Sequence, residues 1–424
     1  MIFNITFFLS IVLFLYEVNK TFKKGSYISI QVIITFCLIL FILLPPFLSS
    51  SVLLEDDAYN TLLFFGFLGV FISCRILPYD IILEAKPKYV IDKFWTKIGF
   101  LVFSFYLVGD IIKNIIAKGS LLAVFTSTRL EFDTISSTGS FVYSIMLFFR
   151  ILYYVYIYSL FKQKKHFKFL LLYLIPIFHH QVTAITRFDF LVMVLVVFFL
   201  YIEPKLLKRK LKNRLNKSRR ISKKKLIVII SPIILFSLFY MYTSNLIRHG
   251  LLQERADKIT LDALFNSDLT NDLEYYYLLH DLYVAKDIGK IDYEYGKSWF
   301  YYPLLTYIPR NIWADKPPTA FSTRYTEKLY WKLGDGPVAT FTIFGEGYIQ
   351  FGLLGAFFAP IFFSVSRYWS LSYLKRIENS RIIIILILFS MITYFRAEQP
   401  IVYVLLDLIY GFIIMKFMSK KIIR

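Results

Sequence analysis

Hydrophobic runs of a length close to the thickness of a bilayer recur about eleven times along the chain. A membrane-spanning helix needs roughly 20 apolar residues, so the shorter runs are expected to extend by a turn at their ends. The pattern predicts an all-α, polytopic membrane bundle. The predicted spans cover residues 2–16, 28–48, 59–74, 98–115, 140–160, 169–185, 188–202, 226–242, 341–364, 382–394 and 401–417.

Lysines and arginines concentrate in every second gap between these runs. Residues 205–225 alone hold twelve basic residues and no acidic one. Loops rich in Lys and Arg face the cytoplasm, so this parity assigns a side to every gap. The N-terminus is then outside and the C-terminus inside, and the first run is expected to be a retained span. The other cytoplasmic gaps are 20–24, 75–97, 162–168, 367–381 and the tail after residue 416.

Composition agrees with a membrane protein, since 57% of the 424 residues are hydrophobic and the mean hydropathy is +0.58. The formal net charge of +20 could indicate a nucleic-acid partner. Its placement instead fits a topology signal and contact with anionic lipid headgroups, so no nucleic-acid partner is predicted. Cys37 and Cys74 both lie in predicted spans, which argues against a disulfide framework or a cysteine metal site.

The predicted order along the chain is an N-terminal bundle of about eight spans (1–242), a long outward loop (243–340) and about three C-terminal spans (341–424). The loop is nearly neutral, with 11 basic and 13 acidic residues, and its apolar content is aromatic at 275–283 and 298–313. Tyr and Trp prefer the headgroup level of a membrane. We therefore expect interfacial helices that return to the bundle, and not an independent soluble domain.

Charges inside predicted spans need an explanation, because each costs about 2.5–3.5 kcal/mol on the insertion scale. Arg150, Asp189, Glu346 and Asp407 are of this kind. Glu346 lies in "GEGYIQFG", where the flanking glycines allow another backbone or a ligand to approach closely. Two interpretations stand equally: a partly desolvated general base near the outer surface, or an ion pair to an arginine of another helix.

Arginines next to spans recur in the outward gaps. Arginine binds a diphosphate bidentately and keeps its charge in poorly hydrated sites, so several at one membrane depth would form an anion clamp. Taken singly, each is better explained as a headgroup contact or a helix-end salt bridge. Lys316 follows one of them in the proline-rich stretch "YIPRNIWADKPP". The outward arginines are Arg129, Arg187, Arg248, Arg310 and Arg396.

Four histidines, His179, His180, His249 and His280, are candidate proton carriers, although a hydrogen-bonded structural histidine is the simpler interpretation of each. The chain has no HExxH, Walker loop or GxSxG motif. Neither a metal nor a cofactor is predicted.

At this point the chain resembles bacterial O-antigen, or oligosaccharide repeat-unit, polymerases of the Wzy type. The resemblance rests on about a dozen spans with one long periplasmic loop late in the chain, and on "IPRNIWADKP" followed by "TFTIFGEGYIQFG". Arg129 in "TSTRLEF", Arg187 in "ITRFDF" and Arg396 in the last outward turn fit the same plan. The likeness covers most of the chain and is firmest over residues 300–400.

The resemblance implies a GT-C-like membrane glycosyltransferase of the bacterial inner membrane, working without metal. It would join repeat units carried on undecaprenyl diphosphate, with a chain-length regulator protein as a candidate partner. The outward arginines and Lys316 would bind the leaving diphosphate, and Glu346, or alternatively His249, would orient or deprotonate the attacking hydroxyl. An O-antigen ligase and a flippase or transporter of the lipid-linked unit remain alternatives. A transporter would favour internal repeats and polar residues in mid-membrane.

Overall fold

The computed structural model describes residues 2–23, 29–43, 56–78, 87–118, 140–183, 275–305, 321–330, 341–396 and 408–422, with single positions at 196, 200, 308, 312–313 and 315–318. They are mostly helical. The helices are α1 (Ile2–Lys23), α2 (Ile30–Cys37, continued by a π-turn at Leu38–Leu43), α3 (Asp57–Ile76), α4 (Lys93–Lys118), α5 (Ser140–Lys162), α6 (His166–Thr183), α7 (Tyr275–Asp287), α8 (Tyr302–Leu305, preceded by a π-turn at Lys297–Tyr301), α9 (Phe321–Leu329), α10 (Thr342–Leu374), α11 (Arg381–Arg396) and α12 (Leu408–Met418). Strands β1 (Tyr89–Ile91) and β2 (Ser419–Lys421) pair antiparallel.

The chain divides into two compact units. The first consists of Met1–Phe103, Thr138–Ser159 and Asn266–Arg424, and the second of Ser104–Ser137 and Leu160–Phe265. In the first unit the most extensive packing is between α3 and α10, with α1, α2 and α11 around them. Helix α7 of the long loop packs on α10 within the same unit. The described part of that loop is therefore integrated with the helices on either side of it in sequence.

Four described helices are long and apolar enough to cross a membrane by length and composition: Ile2–Thr21, Asp57–Ile76, Lys93–Ile116 and Thr342–Leu374. Large apolar side chains on α4 point outward, with Phe105 75% and Ile116 74% exposed. Such surface suits lipid better than water. These findings support a helical membrane protein. The count of about eleven spans and the GT-C-like arrangement stay predictions.

Helix α10 is not the single span that hydropathy predicts. Its backbone leaves helical geometry at Phe351 (φ −148°, ψ 27°) and at Gly352 (φ 65°, ψ −146°), a region that favours glycine. In a continuous helix Gly347 and Gly355 would be about 12 Å apart along the axis. Here a Cβ on either glycine would overlap the backbone carbonyl of the other. The first part, residues 342–350, therefore folds back on the second, residues 353–374; we call it the half-helix.

Close approach between α3 and α10 depends on two glycines of α3. A Cβ on Gly66 would meet the ring of Phe344 at 2.6 Å, and one on Gly69 would meet Pro360 at 2.7 Å. Small residues at helix crossings let backbones approach, which is how helices pack in membranes. This contact seats the half-helix, with Glu346, against α3.

Three segments assigned to the cytoplasm by charge meet at one end of the first unit. Strand β1 pairs with β2 of the C-terminal tail, with Tyr89 opposite Lys421. The amides of Lys88 and Tyr89 donate to the carbonyl of Arg376 (2.9 and 3.0 Å), in the turn between α10 and α11. The gaps 75–97 and 367–381 and the tail thus share one side, as the alternation of charge requires.

Two charged residues near that same end are buried. Arg367, which the sequence analysis placed in a cytoplasmic gap, lies inside α10 with 0% exposure. Glu17, one residue beyond the predicted first span, is also 0% exposed. The predicted spans end where the charged residues lower the hydropathy, whereas α1 continues past Glu17 to Lys23 and α10 past Arg367 to Leu374. The predicted end of the ninth span at residue 364 is therefore too early.

Candidate functional site

Glu346 occupies the centre of the half-helix and is 1% exposed. The two glycines beside it leave space that protein atoms fill. Gly345 faces Leu279 and Leu282 of α7, 3.0 Å from the position of a Cβ, and Gly347 faces the backbone of Gly355. In this structure the close approach predicted from "GEG" is made by helices. Glu346 is a buried part of the packed core.

The half-helix ends against the long loop. The amide of Glu294 donates to the carbonyl of Ile349 (2.8 Å), and the amide of Tyr295 donates to that of Gln350 (3.2 Å). The last carbonyls of a helix need such donors from outside. Gly296, at φ +86°, then turns the chain into the π-turn that precedes α8. The loop backbone is thus fastened to the end of the segment that carries Glu346.

Beside this junction lies a buried ion pair that sequence reasoning missed. Arg324 of α9 donates from Nε and Nη2 to the Glu294 carboxylate at 3.1–3.2 Å. The same carboxylate accepts from Gln350 Nε2 (3.0 Å) and from the Ser298 hydroxyl. The guanidinium also lies over the Tyr302 ring, 3.6 Å from its centroid. Buried charges are tolerated when paired and hydrogen-bonded in this way.

The electrostatics around this pair keep the neighbouring phenols neutral. Burial raises the pKa of Tyr325, and the Glu294 carboxylate raises it further. Burial also raises the pKa of Tyr302, although Arg324 opposes that shift. No local motif marked Glu294 or Arg324, since they lie 30 residues apart in a loop with many charges. Only the folded loop selects them.

Lys316, predicted to bind diphosphate, is 6% exposed. Its ammonium donates to the carbonyl of Ile308 (2.8 Å), in the loop that follows α8, and to that of Leu305 (3.3 Å), the last residue of α8. In this conformation its charge holds the loop. Arg129, Arg187, Arg248, His249 and Arg310 lie outside the described residues. Arg396 is the last residue of α11, and its side chain is likewise outside the described part.

A second cluster joins two outward gaps. His280 of α7 lies 3.3 Å from Asp56, measured from Nε2 to Oδ2, at the start of α3. The imidazole also stands edge-on to the Tyr59 ring, with centroids 5.1 Å apart. Tyr283 continues the aromatic wall towards Tyr348 of the half-helix, at 5.5 Å. We call these residues, Asp56, Tyr59, His280, Tyr283 and Tyr348, the outer cluster.

The second unit has a His–Asp pair of its own. His179 of α6 lies 2.9 Å from Asp110 of α4, measured from Nε2 to Oδ2, and is 8% exposed. Asn114 donates to the backbone carbonyl of Asp110 (2.7 Å), and the Tyr106 ring lies 5.9 Å from the imidazole. Asp110 sits within the predicted span 98–115 and was not among the charges singled out in the predicted spans. Its partner explains how the charge is accommodated there.

The exposed side of the π-turn (Lys297–Tyr301) and of α8 is apolar. Phe300 is 58% exposed, Leu304 68% and Ile312 78%. Behind them Trp299 is buried and stacks on Phe362 of α10 with rings 5.8 Å apart. This surface continues that of α10, so we expect it to lie in the outer leaflet, as predicted for the stretch 298–313.

A fluorescent label attached to Leu304→Cys should therefore be quenched strongly by lipids that carry a spin label in the upper acyl chain. Cys37 and Cys74 are buried and will compete little for a thiol reagent. Lys290→Cys, exposed in the same loop, is the matched control and should be quenched weakly. Equal quenching at both positions would mean that α8 lies in water.

Among the described residues, no group of three or more His, Cys, Asp or Glu side chains is placed to hold a metal ion. Comparison of the chain with protein-family models, with curated proteins and with solved structures finds no match. The function must be argued from the residues themselves.

Proposed function

We propose that this protein is a membrane glycosyltransferase that polymerises oligosaccharide repeat units carried on undecaprenyl diphosphate. It works at the periplasmic face of the bacterial inner membrane, as the resemblance to Wzy-type polymerases implies. The observation that carries the proposal is the outer cluster, together with the hydrogen bonds from Glu294 and Tyr295 to the end of the half-helix. Residues from the first outward gap, the long loop and the half-helix pack into one hydrogen-bonded, aromatic cluster, in which Asp56, His280 and Tyr283 keep partial exposure.

The chemistry of such a surface suits a glycan on a lipid carrier. The partly exposed rings of Tyr283 and Tyr293 offer flat apolar faces to sugar rings, and their hydroxyls offer hydrogen bonds. The apolar side of α8 offers a path for a polyprenyl chain along the outer leaflet. Negative charge builds on the diphosphate as its bond to the sugar breaks, and fixed cations stabilise it. We assign that task to Arg129, Arg187, Arg248, Arg310 and Arg396.

Each of these arginines can be tested by substitution with alanine in a strain whose surface glycan is separated on a gel. One charge-assisted hydrogen bond contributes about 1.5–3 kcal/mol, so each loss should slow polymerisation about 10–150-fold and leave mainly single repeat units. Arg376→Ala is the matched control, because this exposed arginine lies at the cytoplasmic end. It should give a normal ladder of long chains.

The pattern on the gel separates the alternatives. Loss of a ligase would remove glycan from lipid A altogether, and loss of a transporter would leave the lipid-linked unit on the cytoplasmic side. Normal ladders from all five arginine variants, at normal expression, would contradict the polymerase.

A further inference from the structure

The outer cluster contains a titratable pair that is not part of the proposed diphosphate-binding set of arginines. Asp56 and His280 come from different outward gaps and meet at 3.3 Å. Their side chains are 32% and 18% exposed, respectively. The imidazole is thus packed well enough to hold one orientation and still open to a ligand. Glu346, in contrast, is enclosed by protein on both glycine faces.

Asp56 is held in a fixed orientation. It is the N-cap of α3, and its Oδ1 accepts from the amides of Ala58 and Tyr59 at 3.0 Å each. The other oxygen, Oδ2, is left facing the imidazole. A carboxylate that accepts from Nε2–H selects the tautomer with its lone pair on Nδ1. In this arrangement Nδ1 carries the lone pair that can accept a proton from a ligand.

The groups around the imidazole suit a sugar as the proton donor. The buried Tyr59 packs edge-on against the ring, and the partly exposed Tyr283 lies beside it, backed by the buried Tyr348. The Tyr293 ring lies 6.1 Å from the Tyr348 ring, measured between centroids. The Lys286 ammonium stands over the Tyr293 ring, 4.2 Å from its centroid. Burial, Asp56 and Asp287 raise the pKa of Tyr283. Its hydroxyl therefore stays protonated and can donate to a sugar oxygen.

We propose that His280 is the proton acceptor for the attacking sugar hydroxyl and that Asp56 is its positioning residue. This inference rests on the proposed function. The hydroxyl oxygen of one repeat unit forms a bond to the anomeric carbon of the other chain. The bond from that carbon to the diphosphate breaks, and its electron pair leaves with the diphosphate. The hydroxyl proton moves to Nδ1 of His280, and the imidazolium beside Asp56 later releases it to water.

The pH dependence of the reaction should carry the signature of this histidine. In the described residues, the titratable groups in contact with it are Asp56 and Tyr59 from α3 and Tyr283 from its own helix, with Tyr348 of α10 behind Tyr283. The π-turn at Leu38–Leu43, which also packs on α7, brings none. A base must be unprotonated to accept the hydroxyl proton, so the rate should fall on the acid side of the pH profile.

The experiment uses the purified full-length chain and lipid-linked repeat units extracted from a strain that lacks it. His280→Gln should lower kcat about 10²–10⁴-fold with little change in KM, and should abolish the acid limb of the pH profile. Asp56→Asn should lower kcat less and shift that limb. His166→Gln is the matched control, since this exposed histidine lies at the start of α6 in the second unit, and it should behave as wild type.

The outcomes separate the two proposals. If His280→Gln and His280→Asn both keep the wild-type rate and acid limb while Arg310→Ala loses polymerisation, the histidine assignment is overturned and the polymerase stands. If the wild-type chain polymerises no lipid-linked unit, both are overturned. A uniform loss of kcat with an unchanged acid limb in folded, monodisperse His280→Gln would show a structural role and would also overturn the assignment.

Discussion

Arg324→Gln should lower the free energy of unfolding of the outer loop by about 3–5 kcal/mol, because it leaves the Glu294 carboxylate buried without its counter-charge. Glu294 is 7% exposed and cannot recover its hydration without opening the loop. Hydrogen–deuterium exchange of the detergent-solubilised chain should show faster exchange across residues 292–302 and 321–329. Glu327→Gln, on the exposed face of the same helix α9, is the matched control and should change exchange little.

Removing both charges separates the effect of an unpaired buried carboxylate from a simple loss of packing around Arg324. In Glu294→Gln/Arg324→Gln the amides can still bond to Ser298 and Gln350, and no charge stays buried. The double variant should therefore be more stable than Arg324→Gln alone, giving a favourable coupling in the double-mutant cycle. Additive effects of the two single substitutions would mean that the ion pair does not fasten the loop.

Gly355→Ala should be the second large effect, although it adds only one methyl group. The new Cβ would overlap the carbonyl oxygen of Gly347, so the half-helix would have to move away from residues 353–374. Overpacking of this kind costs about 1–3 kcal/mol, and more where backbone must shift. The half-helix carries Glu346 and ends on the loop that holds Glu294, so we also expect a drop in polymerisation.

Gly109→Ala provides the control for the same substitution. A Cβ at Gly109, in α4, would have no atom within 4 Å. Alanine is favoured over glycine in a helix interior by about 0.5–1 kcal/mol, so this variant should be slightly more stable than wild type. Thermal unfolding in detergent measures the change in Tm of both variants, Gly355→Ala and Gly109→Ala. A fall in Tm for Gly355→Ala no larger than the change for Gly109→Ala would contradict the folded-back geometry of α10.

Part of the site was within reach of the sequence. Glu346 and the aromatic stretch at 275–283 were singled out from local composition, and the described residues place that stretch against the half-helix. The "GEG" glycines were predicted to admit another backbone or a ligand, and the described residues show the backbone of Gly355 against Gly347. Lys316 was predicted to bind diphosphate from its charge, and sequence alone could not show that its ammonium donates to the carbonyls of Ile308 and Leu305.

The choice between the histidines was beyond sequence analysis. His280 had no neighbour in sequence that distinguished it from His179, His180 or His249. Its carboxylate partner is 224 positions away and belongs to another outward gap. The same holds for Glu294 and Arg324, and for Asp110, which sits in a span and meets its histidine from another helix. A pair is chosen by where two helices cross, and no local pattern records that.

The amino-acid sequence by itself determined the helical, membrane-type character of the chain and the parity of its loops. Apolar length and basic charge act locally, through transfer into lipid and through topology. The tertiary structure alone decided which charges are buried and paired, and that a 33-residue helix folds back at Gly352. The physical reason is that burial, pairing and close backbone contact are properties of distant segments brought together, where each group's free energy depends on its neighbours.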